Sequence, residues 1–313
     1  MAKNEVGLMA EAASMYYEQH LTEKQIADIL FCSRSKVSRL ISEALRLGIV
    51  TIHIDYPVER VLSLEKQIES IYHIKSAIVI RNYRSPYEIL LKRIGKATAN
   101  LIDDLIEKDS FVGVAWGKTV KNVVDQMQPK EKKNLTVIQV MGTPSNRTEE
   151  GYNSLEIVLK FREKYGGDIK EIFSPLVVES QLVRDSLLSE PIIRETIRSA
   201  QKCKYLVTSL GYINSLSLGA WREHLDSERM QRIKLEGAVG VLCGHFIKSD
   251  GSIVDQDLDK KIIGLGLDDI QKIPNVIAAV CGEKKEYVLK AALAGKYIDY
   301  LVTDENLALK LIK

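Results

Sequence analysis

The sequence lacks features that several classes of protein require. Its 313 residues contain no apolar run of the roughly 18–20 residues that a membrane-spanning helix needs. Four cysteines are present, but they lie far apart without a CxxC pair, so neither a disulfide framework nor a zinc site is expected. Lysine plus arginine number 44 against 42 acidic residues. The net charge of +2 excludes a strongly basic nucleic-acid coat, although it permits a local basic face.

Catalytic patterns are also missing. The five histidines show no HExxH or other paired metal spacing, and no GxSxG nucleophile elbow occurs. We therefore predict neither an enzyme nor a metal or cofactor site. The first residues, Met1–Glu5, lack the basic and then apolar layout of a secretion signal. The expected location is the cytoplasm, with reduced cysteines and no membrane association.

Two different patterns divide the chain. Residues up to about Leu47 are helical in periodicity, whereas short apolar runs alternate with helical patterns after Pro57. The predicted strands are Ala77–Ile80, Phe111–Ala115, Thr136–Val140, Lys204–Leu210, Val276–Val280 and Tyr300–Thr303. The predicted helices include Ile89–Ile106, Thr119–Met127, Ser154–Tyr165 and Lys284–Ala294. We predict an α/β fold with a parallel sheet covered on both faces, and domains spanning residues 1–56 and 57–313.

The first domain has the spacing of a helix-turn-helix. Thr22 and Gln25 are placed as a capping box, and Ser33 is a good N-cap for a helix that runs to Gly48. Phe31 and Cys32 occupy the turn, where glycine is frequent. The alternation of Val50–Asp55 predicts a strand that would serve as a wing. A winged helix-turn-helix is therefore expected.

Positive charge is concentrated on the third helix of that domain. Residues 34–39 contain three basic side chains and no acid, although residues 1–55 contain six basic and seven acidic ones. Small serines between the basic residues would let the helix approach base edges in the major groove. The alternative is the solvated face of an ordinary three-helix bundle. The candidate DNA-binding residues are Gln25, Arg34, Ser35, Lys36, Ser38 and Arg39.

The second domain has three glycine-containing turns, each following a predicted strand. The turns are Ala115–Thr119, Val140–Ser145 and Cys281–Lys285. Backbone amides at such a helix start bind anions, and lysine adds a charge. We expect a phosphate group to lie between Gly117–Thr119, Gly142–Thr143 and Lys285. The alternatives are purely structural turns and an exposed lysine. A nucleotide P-loop is excluded because Val112 stands where that motif needs glycine.

Seven segments carry a resemblance to a known family. They are Ala12–Tyr17, Gln25–Ala27, Ser33–Leu40, Gly48–Val50, Gly113–Thr119, Gly237–Gly240 and Ala292–Tyr297. Over nearly its whole length the chain resembles the SorC/DeoR-like family of bacterial sugar-responsive transcriptional regulators. The resemblance implies a Rossmann-like effector domain of the sugar-phosphate-isomerase type that binds a phosphorylated sugar or polyol without turnover. It also implies double-stranded operator DNA as a partner and a homo-oligomer, expected to be a tetramer built as a dimer of dimers.

The effector residues that the turns and the resemblance nominate form one set. They are Gly113, Ala115, Trp116, Gly117, Lys118, Thr119, Met141, Gly142, Thr143, Val241 and Lys285. Met141 stands where some members of the family have a basic residue, Val241 where an acidic residue is usual, and His245 where arginine is frequent. Binding should then depend heavily on phosphate and discriminate modestly among sugars.

Two other hypotheses remain. The chain could be a sugar-phosphate isomerase or deaminase with an appended helical domain, which would need a general base where Met141 and Val241 stand. It could also be a regulator whose effector site has degenerated. We further expect oligomerisation through the Leu62–Ile71 helix and the second domain, although the apolar face of that helix could pack only within its own chain.

Overall fold

The computed structural model describes residues 3–51, 58–144, 154–214 and 225–313. Contacts divide the chain into an N-terminal unit, Met1–Pro57, and a C-terminal unit, Val58–Lys313. Each unit has its own hydrophobic core. Within the described ranges, no helix is long and apolar enough to cross a membrane.

The N-terminal unit contains the helices α1 (Lys3–Tyr17), α2 (Glu23–Ile29) and α3 (Arg34–Arg46). The predicted capping box of α2 is confirmed: Gln25 donates its backbone N–H to Thr22 Oγ1, and the Gln25 side chain accepts the Thr22 amide at 3.0 Å. Ser33 caps α3 by accepting the Lys36 amide. The core between the helices consists of Met9, Ala12, Ala13, Ile26, Ala27, Val37, Leu40, Ile41 and Ala44.

The predicted wing lies mostly outside the described part of this unit, whereas the predicted turn is described. Most of the strand expected at Val50–Asp55 lies outside the described residues, and Thr51, at the end of the described segment, has no regular secondary structure. In the turn between α2 and α3, Phe31 has a φ of +50°. It therefore takes the left-handed conformation that glycine adopts without cost, and its side chain is 96% exposed.

The C-terminal unit is built on a parallel sheet. Its strands are β1 (Ser76–Ile80), β2 (Phe111–Val114), β3 (Leu135–Gln139), β4 (Gly167–Lys170), β5 (Tyr205–Thr208), β6 (Leu210–Tyr212), β7 (Gly240–Leu242), β8 (His245–Ile247), β9 (Asn275–Val280) and β10 (Tyr300–Asp304). Seven strands form the parallel sheet in the order β1-β10-β9-β5-β2-β3-β4. The other three form a small antiparallel sheet in the order β6-β7-β8.

Helices cover the parallel sheet on both faces, as the sequence predicts. They are α4 (Leu62–Tyr72), α5 (Tyr87–Leu105), α6 (Lys118–Asp125), α7 (Ser154–Tyr165), α8 (Gln181–Ser189), α9 (Pro191–Ala200), α10 (Ser227–Leu235), α11 (Gln256–Asp259), α12 (Leu267–Lys272), α13 (Glu286–Ala294) and α14 (Glu305–Leu311). Along β9, Val276 and Ala278 belong to one core cluster, and Ile277 and Ala279 belong to the other. This alternation is that of a strand buried on both faces.

The structure differs from the sequence prediction at one strand that matters for function. The expected strand Lys204–Leu210 is two strands, because the chain leaves the parallel sheet at Ser209 and enters the small sheet as β6. The helix expected to start at Lys284 begins instead with the 3-10 turn Glu283–Lys285, which precedes α13.

The helix α4 packs within its own chain on one face only. Leu64 and Ile68 are buried in the core of the C-terminal unit, whereas Leu62 and Ile71 are exposed.

Candidate functional site

The exposed face of α3 carries the predicted DNA-binding residues. Arg34, Ser35, Lys36 and Arg39 are exposed, and Ser38 is half-buried. Gln25, on α2, is also exposed, but its side-chain oxygen is engaged in the capping box with Thr22. The candidates on α3 therefore lie at the surface of the N-terminal unit, whereas the side chain of Gln25 already has a structural role.

One acid from α2 lies against this basic face. Arg34 donates its Nε–H to Glu23 Oε2 at 2.9 Å, and this hydrogen bond is the main reason why the pKa of Glu23 is lowered. Counting charges along α3 alone does not reveal the pair, because Glu23 is eleven residues away. Lys36 and Arg39 form no ion pair with any other described residue, so they are the less restrained cations.

A cavity of about 380 Å³ lies in the C-terminal unit, at the carboxyl ends of β2 and β5 and beside the small sheet. Carboxyl ends of parallel strands are the usual ligand site of an open α/β sheet. Eight of the predicted effector residues line it: Ala115, Trp116, Gly117, Lys118, Thr119, Met141, Val241 and Lys285.

The turn after β2 presents free backbone donors. Gly117, with a φ of +131°, precedes α6, and the amides of Lys118, Thr119 and Val120 have no intrahelical acceptor because they form its first turn. A Cβ added to Gly117 would meet nothing within 4 Å. Lys118 Nζ, at the more exposed side, is paired with Glu88 at 2.8 Å. This turn offers amides and the positive end of a helix to an anion.

Lys285 brings a buried amine to the same cavity. Its side chain is 8% exposed, and burial lowers its pKa because the charged form is poorly solvated there. Its Nζ lies 3.4 Å from Ser209 Oγ, and no carboxylate of the described residues is within ion-pairing distance. The nearby Asp304 instead accepts the amides of Gly282 and Leu307. The alternative of an exposed lysine is therefore wrong.

The turn after β3 does not supply the donors that we predicted. Gly142 donates its amide to Ile263 O at 2.8 Å, and Thr143 donates to Ser174 O at 2.9 Å. The expectation that Gly142–Thr143 offers amides to a phosphate is wrong, because these neighbouring segments already accept them. The cavity wall includes neither residue.

Gly113 has a packing role rather than a lining role. It lies inside β2, where a Cβ would come within 2.6 Å of the Val140 side chain, and it is not part of the cavity wall. Trp116 does line the cavity, and its Nε1–H donates to Gly142 O at 3.0 Å. The indole therefore joins the turn after β2 to the turn after β3.

Sequence reasoning missed about half of the wall: Tyr87, Leu176, Thr208, Ser209, Leu210, Gly211, Tyr212, Cys243 and Gly244. A signal existed for Thr208 and Ser209, since they end a predicted strand at the carboxyl edge of the sheet. None existed for Leu176, which comes from a segment without regular structure.

The described wall offers little for catalysis or metal binding. It contains no carboxylate and no imidazole, and burial raises the pKa of the Cys243 thiol to about 11. Among the described residues, no group of three or more His, Cys, Asp or Glu side chains is placed to hold a metal ion. The amine of Lys285 and the first amides of α6 are suited to holding an anion.

Comparison with known proteins gives the family. A family model described as "Putative sugar-binding domain" matches residues 56–313. The chain is 29% identical to the sorbitol operon regulator of Klebsiella pneumoniae, over 99% of both chains. It is 26% identical to the deoxyribonucleoside regulator of Bacillus subtilis, over all of this chain and 99% of that protein.

A solved structure agrees with these matches. The crystal structure of the full-length sorbitol operon regulator SorC from Klebsiella pneumoniae superposes with a TM-score of 0.74 and 25% identity, covering 99% of this chain and 100% of that chain. The chain therefore belongs to the SorC/DeoR-like family of bacterial sugar-binding transcriptional regulators.

Proposed function

We propose that the chain is a cytoplasmic, DNA-binding regulator of a carbohydrate-utilisation operon, controlled by a phosphorylated sugar or polyol. Residues 1–56 would form a winged helix-turn-helix that binds double-stranded operator DNA, and residues 57–313 the effector domain. The observation that carries the proposal is the buried amine of Lys285, which lines the same cavity as the start of α6, where the first amides have no intrahelical acceptor. The names of the relatives, a sorbitol operon regulator and a deoxyribonucleoside regulator, support it.

The anion site of this proposal is smaller than the sequence predicts. Lys285, Thr119 and the first-turn amides of α6 would hold the phosphate, without Gly142 and Thr143. A buried ammonium is poorly solvated, and Lys285 has no described carboxylate within ion-pairing distance, so a phosphate that pairs with it restores the lost interaction. Lys118, already paired with Glu88, would contribute less.

Lys285→Ala tests this site, with Lys284→Ala as the matched control. Lys284 precedes it in the same turn and is exposed. Titration calorimetry with sugar phosphates should show at least tenfold weaker binding for Lys285→Ala and unchanged binding for Lys284→Ala. Free sugars should not bind at millimolar concentration. Equal binding of a sugar and its phosphate, or equal effects of the two variants, would contradict the proposal.

The DNA-binding half of the proposal is tested on α3. Arg39 forms no ion pair with the other described residues, whereas Arg46, in the last turn of α3, pairs with Glu43 at 3.4 Å. Arg39→Ala should lose about 1–3 kcal/mol of operator discrimination if it contacts bases, or lower the salt dependence if it contacts phosphate. Arg46→Ala is the control and should retain operator affinity. If Arg39→Ala leaves affinity and salt slope unchanged, α3 is not the recognition helix.

Operator binding also requires two DNA-binding domains, because one helix-turn-helix contacts only a short half-site. We propose a homo-oligomer, a tetramer built as a dimer of dimers, in which the exposed Leu62 and Ile71 of α4 contribute to an interface. Sedimentation should show an oligomer at micromolar concentration, and changing both residues to serine should shift it towards monomer. A monomer with full operator affinity would rule this out.

The enzyme alternative has less support. An isomerase or deaminase would need a general base at the cavity; the described wall has no carboxylate or imidazole, and its buried amine, Lys285, is the group that we assign to the phosphate. We expect no turnover when sugar phosphates are incubated with the protein.

A further inference from the structure

The carboxylate of Glu23 and the guanidinium of Arg34 join the starts of two helices. Glu23 is the first residue of α2, and Arg34 is the first residue of α3. Arg34 donates its Nε–H to Glu23 Oε2 at 2.9 Å. In a helix-turn-helix, the first residues of the second helix are those that contact base edges in the major groove. Arg34 therefore occupies a position from which bases are contacted, and an acid holds it there.

The effect of this ion pair is on the orientation of Arg34 rather than on stability. The side chain of Arg34 is 75% exposed and that of Glu23 is 26% exposed. Exposed pairs of this kind contribute little to the free energy of unfolding. The bond at Nε nevertheless restricts the direction of the guanidinium plane, and no described residue accepts a hydrogen bond from Nη1 or Nη2.

Glu23 is itself held by a second contact with α3. Hydrogen bonds from Arg34 and then from Ser38 lower the pKa of Glu23, so the carboxylate is ionised at neutral pH. Ser38 lies four residues after Arg34, and residues at that spacing share one face of a helix. An acceptor held at two points of α3 keeps the guanidinium in one orientation.

The donors left to Arg34 match one base. Guanine presents two acceptors, O6 and N7, in the major groove, and arginine binds both with two N–H groups. With Nε bound to Glu23, this contact must use Nη1 and Nη2. A long arginine side chain loses rotamer freedom on binding, and one that is already oriented loses less of it.

We propose that Glu23 is a positioning residue for operator recognition, which orients Arg34 so that Nη1 and Nη2 bind a guanine in each half-site. This rests on the proposed function, in that α3 is the recognition helix. It goes further by giving a role to an acidic residue of α2 and by assigning guanine as the base that Arg34 contacts.

Selection from a pool of synthetic duplexes with a randomised central segment tests the proposal. The full chain is mixed with the pool, and the bound fraction is sequenced. The unsubstituted protein should enrich a guanine at one position of each half-site, and Arg34→Ala and Glu23→Ala should both lower the preference at that position alone. For Glu23→Ala the loss should be about twofold to tenfold, the range expected when one side chain is no longer held in place.

Further variants separate positioning from a structural role. Glu23→Gln keeps an oxygen that accepts the Nε–H, so it should retain most of the preference for guanine. Arg34→Lys keeps the charge but lacks the planar fork, so it should lose the preference. When Arg34 is already alanine, Glu23→Ala should have no further effect on the preference, because Glu23 acts through Arg34. Glu43→Ala is the matched control, since it breaks the exposed pair with Arg46 on the same helix and should leave every preference unchanged.

The contrary results are distinguishable. An unchanged profile for Glu23→Ala, or a loss spread evenly over all positions, overturns the positioning role. An unchanged preference in Arg34→Lys, or a relaxed position that holds a base other than guanine, overturns the base assignment. If the unsubstituted chain enriches no sequence, the proposed DNA-binding function fails as well. Thermal unfolding identifies any variant that does not fold, and Glu23→Gln and Arg34→Lys then decide between the outcomes.

Discussion

The turns after β2 and β3 are similar in sequence but differ in whether their backbone amides are free. Each carries a glycine at the carboxyl end of a strand, and the two strands are neighbours in the sheet. After β2, α6 follows at once, and its first amides have no acceptor. After β3, the chain stays extended, and the amides of Gly142 and Thr143 are taken by Ile263 and Ser174. A glycine turn binds an anion only where nothing else accepts its amides.

The largest expected effect is that of Gly142→Ala. The new Cβ would lie 2.4 Å from Pro175 O and 2.7 Å from Leu176 N, and backbone atoms cannot yield as a flexible side chain can. We expect a loss of about 3 kcal/mol or more in the free energy of unfolding, measured by urea denaturation. A loss under 1 kcal/mol would show that the turn after β3 is as open as the turn after β2.

Gly117→Ala should destabilise the fold less than Gly142→Ala does, but it should weaken phosphate binding. Its φ of +131° and ψ of 167° lie in a region that only glycine occupies readily, which costs about 1–3 kcal/mol for alanine. No atom lies within 4 Å of the added Cβ, so no clash is added. The same denaturation series measures stability, and calorimetry should show weaker phosphate binding, because the first amides of α6 would shift. Unchanged affinity in a folded variant would argue against these amides as donors.

Trp116→Phe tests the link between the two turns. It removes the N–H that Gly142 O accepts, while keeping an aromatic ring at the cavity. We expect a loss of about 1 kcal/mol in unfolding free energy. The double variant with Gly142→Ala should lose less than the sum of the two single losses, because both disturb one contact. Strict additivity would mean that the turns are independent.

The last expected effect is gradual and concerns pH. Burial lowers the pKa of Lys285 in the folded protein below its unfolded value of about 10.5. The unfolded chain then binds more protons between the lowered pKa and about 10.5, so stability from this group rises with pH in that window. Lys285→Met should remove this rise, seen as a flatter plot of unfolding free energy against alkaline pH. An unchanged slope would indicate that the amine is solvated.

Local signals in the sequence predicted the parts of the structure that depend on local contacts. The capping box of Thr22 and Gln25 closes over three residues, and the strand β9 is identified by its own apolar run. The turn at Gly117 was predicted for the same reason, since strand, glycine and helix follow one another directly.

The features that the sequence did not predict depend on contacts with residues that are distant in the chain. The amide of Gly142 is taken by Ile263, and the burial of Lys285 depends on its approach to Ser209, 76 residues earlier. The pattern around Lys285 is the same whether the amine is buried or exposed. No local sequence pattern indicates that Leu176 lines the cavity, because its position there depends on tertiary packing.

The pairing of β1 with β10 has a consequence for synthesis on the ribosome. Among the described strands, β1 has β10 as its single neighbour, and Tyr72 donates its hydroxyl to Leu311 O across 239 residues. The first strand of the C-terminal unit can pair early only with the short segment around Arg60, and it lacks its neighbour in the sheet until almost the whole chain has emerged. The core of α1, α2 and α3, among the described residues, includes none beyond Val50. Nascent chains thus complete the contacts of these helices long before the sheet beside the cavity can close.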